Sequence, residues 1–209
     1  TLVQGPTLRA QDSPAGISGG WGNRLRAGIA WDTRDFEPAP KDGWFCDLTG
    51  EYSGPATGSD YGYCRETLTL RRYQPVVPGL TMAVRGAGSA TQGRPPFFDS
   101  STLGGFDGRT EGLGGGWTLR GYKANRFTGR YTSLANAELR YDLTETRAGD
   151  QRFLFTPVIF ADAGRVFDSP VNISLRDWKA DYGGGIRIAW NRATILNLTY
   201  GVCHEDSGI

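Results

Sequence analysis

From Arg24 onward the chain alternates between apolar and polar positions, residue by residue. Leu25, Ala27, Ile29 and Trp31 form one row, and Arg24, Arg26 and Asp32 form the other. This period of two predicts a β-strand with unlike faces. A Pro-rich turn over 33–43 follows. A second strand is predicted from about Trp44 to Tyr52, with Trp44, Cys46 and Leu48 opposite Asp47, Thr49 and Glu51. After a loop over 54–60, a third strand runs from about Tyr61 to Tyr73. The segment Pro75-Val-Val-Pro-Gly79 predicts a turn, and a fourth strand runs from about Leu80 to Ser89.

The pattern then stops. From Thr91 to about Arg130 lie some forty residues rich in glycine, including Thr102–Gly105 and Gly114–Trp117. Loops this long inside a compact domain are uncommon and usually functional. Alternation resumes at Ala135, Ala137, Leu139, Tyr141 and Leu143, opposite Asn136, Glu138, Arg140 and Asp142. A polar turn is predicted near Thr144–Asp150. Phe153, Phe155, Ile159 and Ala161 then oppose Phe160 and Asp162. After a loop near Asp168–Asp177, Ile186, Ile188 and Trp190 oppose Arg187. Past a tight turn at Asn191-Arg192, Leu196, Leu198, Tyr200 and Val202 oppose Asn197 and Thr199. The prediction is eight hairpin-connected strands and almost no helix.

Alternation alone fits two architectures. In a soluble sandwich or lipocalin-like barrel the apolar row is the core. In a membrane barrel it meets lipid, and the charged row lines the lumen. Three features favour the membrane. The strands are long enough to cross a bilayer with tilt, and soluble strands average about five or six residues. Trp31, Trp44 and Trp190 sit at strand ends that an up-and-down order brings to one side, as an interfacial girdle does. The turns near Thr33, Gln74, Thr144 and Asn191 share that side, whereas the long loop lies on the other.

Composition narrows the function classes. The 209 residues carry 23 basic and 22 acidic groups, for a net charge of +1, which makes no electrostatic case for nucleic acid. One histidine, His204, excludes a catalytic His pair or a multi-His metal site within the chain, and its neighbours Glu205 and Asp206 suggest a solvated loop. Three cysteines are too few for a disulfide scaffold; Cys46 and Cys64 either meet across a hairpin or stay unpaired. Gly114–Gly116 has no following Lys-Ser/Thr of a phosphate-binding loop. The first residue is Thr1, so either a signal was removed or the chain is an internal fragment.

Several motifs together resemble the BamA/TamA-type outer-membrane assembly and translocation barrels, the bacterial surface antigen family. Leu119-Arg120-Gly121-Tyr122 is similar to the (V/L/I)RG(F/Y) signature of that family's long loop. Phe160-Ala-Asp162-Ala-Gly164 is similar to its FxDxG strand motif, and Glu138 to the acidic residue of the intervening strand. Trp31-Asp-Thr-Arg-Asp with Gly43 resembles a periplasmic turn. The resemblance implies an all-β, antiparallel, up-and-down transmembrane barrel of sixteen strands, of which this chain would supply strands eight to fifteen. Residues 1–21 would be an outer loop and 22–209 a partial C-terminal barrel, with the loop over about 91–130 folded into the lumen. An open half-barrel would have two unpaired edges and is not expected to fold alone.

The resemblance also implies that Arg120 locks onto Asp162, with Glu138 beside it. The side-chain chemistry agrees, because a guanidinium has fixed donors for carboxylates. Phe160 shares the lumenal face and is placed to stack on it, while Gly121 permits close backbone approach. Tyr122 and Gly164 complete the two motifs. A hydrolytic pair of Glu138 and Asp162 is the weaker reading beside ordinary lumen charge. The implied function is insertion or translocation of proteins at the bacterial outer membrane, with no enzyme activity and no cofactor. The implied partners are the outer-membrane lipid bilayer, unfolded or translocating polypeptides, and periplasmic accessory proteins reached through N-terminal domains. The alternatives are a barrel that anchors or exports a patatin-like hydrolase, and a passive pore.

Overall fold

The computed structural model describes residues 15–100, 102–105, 112–169, 177–191 and 194–204. One antiparallel sheet contains β1 (Leu25–Asp32), β2 (Gly43–Ser53), β3 (Tyr63–Val77), β4 (Leu80–Gly93), β5 (Tyr131–Tyr141), β6 (Thr144–Ala148), β7 (Gln151–Phe167), β8 (Lys179–Trp190) and β9 (Thr194–Cys203). The order is β1-β2-β3-β4-β5-β7-β8-β9, with β6 also paired to β7. The sheet is open, with β1 and β9 at its edges. Among the described residues the helical element is a single 3-10 turn, Pro55–Thr57.

The ninth strand corrects the expected count of eight. β6 continues β5 past a break at Asp142–Leu143, and both lie on β7: Arg140 faces Val158, and Thr144 faces Phe155. The sheet therefore has eight staves, one of them broken. The turn expected over Thr144–Asp150 shrinks to Gly149 and Asp150, because the first residues of β7 offer a ladder that satisfies the backbone of the polar segment. The turn expected from Pro75 likewise shrinks, since β3 extends to Val77 through an irregularity next to Pro75. β4 extends past Ser89 to Gly93, so the long loop begins at 94. Residues 1–14 of the expected outer loop, Arg192 of the tight turn, and Glu205 and Asp206 lie outside the described residues.

Burial runs opposite to that of a soluble protein. Along β2, Phe45, Asp47, Thr49, Glu51 and Ser53 are buried while Trp44, Leu48 and Tyr52 are exposed. Along β3, Arg65, Thr67 and Thr69 are buried and Leu68 and Leu70 are exposed. On the outer face Ile29 is 73% and Leu198 64% exposed. A continuous exposed apolar band of this kind is stable in lipid, not in water. The ambiguity of the alternation is thus resolved: the polar row faces the inside of the curved sheet.

The apolar band is bounded by aromatics. Trp31, Trp44 and Trp190 lie on the outer face at the turn end, and Trp190 stacks on Phe153. Its indole donates to Gln151 Oε1 at 2.6 Å. A second set, unpredicted, lies at the loop end: exposed Tyr52 and Tyr182, and Tyr131 stacked on Phe167. Trp44 to Tyr52 and Trp190 to Tyr182 each span eight residues, about 27 Å along a strand. That reach matches the apolar band of roughly 25 Å in outer-membrane barrels.

Register also settles the cysteines. Cys46 faces Leu70 and Cys64 faces Tyr52, so the two are far apart along the hairpin. Cys46, Cys64 and Cys203 are all free thiols. The buried apolar cluster comes mainly from the long loop: Leu103, Leu113, Leu119 and Tyr122 pack with Leu134 and Cys203 on the inner face.

Candidate functional site: the loop inside the sheet

The described residues of the segment between β4 and β5 pack against the polar, inner face. Its last part is organised by backbone bonds: Thr118 N–H donates to Gly115 O, and both Gly115 N–H and Tyr122 N–H donate to Leu119 O. Leu119, fully buried, thereby opens a tight turn whose central residues are Arg120 and Gly121. An apolar anchor followed by a turn aims Arg120 at the strands.

Arg120 meets two carboxylates. Its Nε donates to Asp162 Oδ2 at 2.8 Å and its Nη2 to Asp162 Oδ1 at 2.7 Å, a two-point fork from loop to β7. Its backbone N–H also reaches Asp162 Oδ2, at 3.3 Å. Its Nη1 donates to Glu138 Oε1 on β5 at 2.5 Å. The guanidinium carbon lies 3.6 Å from the centre of the Phe160 ring, which stacks beneath it. Burial alone would lower the Arg120 pKa, but the bonds Arg120 donates to Asp162 and the charge of Glu138 outweigh that and raise it, so the group stays cationic.

The glycines of the two motifs serve close approach. A Cβ on Gly121 would lie 2.8 Å from Cβ of Asp181 and 3.0 Å from the carbonyl carbon of Val202. A Cβ on Gly164 would lie 2.6 Å from Leu113 Cδ1, so this glycine makes room for Leu113 of the loop. Tyr122 is buried, donates its hydroxyl to Ala180 O at 3.4 Å, and meets the edge of Phe127 at 5.2 Å. The structure thus brings Arg120, Gly121, Tyr122, Glu138, Phe160, Asp162 and Gly164 into one region. Trp31, Trp44 and Trp190 lie apart from it, on the outer face.

Several participants were not predicted. Asn136 on β5 donates to Asp162 Oδ1 and to Thr118 O, both at 2.7 Å, bridging strand and loop. Arg140 donates to Glu138 Oε2 at 2.7 Å through Nε, so that carboxylate is shared by two arginines. Asp181 lies directly opposite Asp162 across β7 and β8. A second ionic cluster joins Arg24, Glu51, Tyr63, Arg65 and Asp99 on the β2–β3 side. The row Arg65, Thr67, Thr69 marks these as inward positions, but alternation does not name their partners.

No group of three or more potential metal-ligating side chains occurs among the described residues. The site is built from side-chain and backbone hydrogen bonds. Ion pairs, ring stacking and close backbone approach meet there.

The model of the Omp85 superfamily domain matches residues 17–206. Among solved structures the fold is similar to that of BamA from Haemophilus ducreyi lacking POTRA domains 1-3, with 16% identity and a TM-score of 0.65. The match covers 88% of this chain and 39% of that one, so the chain spans well under half the length of that protein. No curated protein matches it. Inverted burial, aromatic borders and the family match agree: the chain belongs to the Omp85 superfamily, and its strands cross the bacterial outer membrane.

Proposed function

We propose that this chain forms part of the barrel of a factor that inserts or translocates polypeptides at the outer membrane, and that Arg120 locks the β4–β5 loop inside it. The observation that carries the lock is the Arg120 fork on Asp162, buried and backed by Phe160. Ordering a loop of this length costs conformational entropy, at about 1–2 kcal/mol per residue before compensation. Charge-assisted, bidentate contacts are among the strongest a loop can use to offset that cost. The partners in this reading are the lipid bilayer and unfolded polypeptide, with periplasmic accessory proteins reached through other domains. No cofactor and no covalent step are required. Glu138 and Asp162 act as acceptors for Arg120, not as a hydrolytic pair.

A charge swap in the full-length protein tests this. Arg120→Asp and Asp162→Arg are each expected to impair outer-membrane protein assembly or export in cells. The double variant should regain part of the loss. A double variant no better than either single one would sink the lock.

A further inference from the structure

We propose that Arg65 and Asp99 form a second, independent anchor of the same loop, separated from the Arg120 anchor by β4, and that both anchors are needed to keep the loop seated on the inner face. Arg65 stands on β3 with its side chain 0% exposed. Its Nη2 donates to the backbone oxygen of Asp99 at 2.6 Å and its Nε to Thr91 Oγ1 at 3.2 Å. Its Nη1 lies 3.3 Å from Glu51 Oε2 and 3.5 Å from Asp99 Oδ1. Asp99 in turn accepts from Arg24 Nη1 at 3.0 and 3.1 Å and from the Tyr63 hydroxyl. Glu51 is completed by Arg26, whose Nη2 lies 2.5 Å away.

The strands also grip the loop's backbone. Thr67 Oγ1 donates to Leu103 O at 2.7 Å, and Arg26 Nη1 to Gly105 O at 3.4 Å. Every strand donor here comes from β1 or β3. The Arg120 contacts come from β5 and β7. β4 separates these groups in the sheet, so the two limbs of the loop are held by different strands. A buried guanidinium is costly unless its donors are met. Arg65 meets all three of its nitrogen positions only while the loop limb containing Asp99 is seated. Arg65 and Asp99 therefore position this limb, and the limb's placement does not pass through Arg120.

Deuterium exchange and ion conductance of the full-length protein in a lipid bilayer test the idea. The reporter amides on this limb are Phe97, Asp99 and Thr102, which donate to Ala15, Pro96 and Asp99 carbonyls. Those of the Arg120 limb are Gly115, Thr118 and Tyr122. Asp99→Asn should speed exchange at the first set by about tenfold or more, as loss of a charge-assisted bond implies, and leave the second set unchanged. Conductance should rise. Asp99→Glu should restore both. Thr67→Val, a milder change on the wall itself, should move the same amides in the same direction by less. Equal loosening of both limbs, no loosening, or unmoved conductance would each overturn the proposal. None of these readouts involves protein assembly, so failure here and failure of the transport reading are separable.

Discussion

Replacing Asp162 by Asn keeps its shape and removes its charge, which makes it the sharpest probe of the Arg120 contact. Asp162 is 2% exposed and accepts three bonds from Arg120 and one from Asn136. Removing one partner of a buried ion pair costs about 3–5 kcal/mol. Two contacts survive the change: Glu138 still takes Nη1 at 2.5 Å, and the Asn carbonyl still accepts one bond from the fork. The expected loss is therefore near the lower bound, about 3 kcal/mol, or a shift of roughly 150-fold in the seated population of the loop. The assay is hydrogen exchange at Gly115, Thr118 and Tyr122 in the full-length protein in bilayers. Those amides should exchange roughly 100-fold faster while the amides of β4 and β5 hold their rates. Unchanged exchange would mean that the apolar cluster alone seats the turn and that the fork is incidental. Equal loosening of strands and loop would mean that Asp162 supports the sheet, not the loop.

Other expectations follow from single contacts. Gly121→Ala should unseat the same turn, at about 1–3 kcal/mol for a forced clash, because the new methyl meets backbone atoms; Gly116→Ala, with open space around it, is the control, and proteolysis of the loop reads both. Trp31, Trp44 and Trp190 should be quenched by lipids carrying a quencher near the headgroup and less by one at the tail end; the reverse depth order would contradict the girdle. The Asp99 carboxyl faces Arg24, Glu51, Tyr63 and Arg65. Burial pushes its pKa up, but the Tyr63 bond and the Arg65 and Arg24 charges outweigh that and hold it below the ordinary 3.8. Its contribution is therefore present in full above about pH 4 and lost as pH falls through the depressed value. Cleavage by pepsin near Phe97 and Phe98 should accordingly rise only at the acid end of a pH 5 to 2 series; a rise already at pH 5 would refute it.

The strands were legible because one face of most of them is largely apolar, as lipid demands. β6 was not, because Thr144-Glu-Thr-Arg-Ala148 offers no apolar row and is exposed on every residue. Where neither face needs lipid, the pattern has nothing to report. The Arg120 region was legible through three short motifs in the right order, and alternation placed Glu138, Phe160 and Asp162 on one face. Asn136, in the same inward row, gave no sign of its bridging bonds. Asp99 was invisible for a different reason. It lies in a loop without periodicity, and its partner Arg65 is 34 residues away in the chain. Pairing across such a span is decided by how the loop folds, and local pattern carries no trace of it.

The long loop also divides the chain in time. The other neighbouring strands are joined by at most eleven residues and can zip as soon as they are made. β4 and β5 differ: Ala90 and Tyr131 must meet across about forty residues, which costs roughly 3 kcal/mol in closure entropy. Non-local pairing of this kind comes late in folding. Two zippers, β1 to β4 and β5 to β9, should therefore form first and meet second. Their meeting is favoured when the loop brings Leu103, Leu113 and Leu119 to the inner face, since the apolar cluster exists only once both halves surround it. The segment whose described residues pack on the inner face would then also be the one that joins the two halves of the sheet.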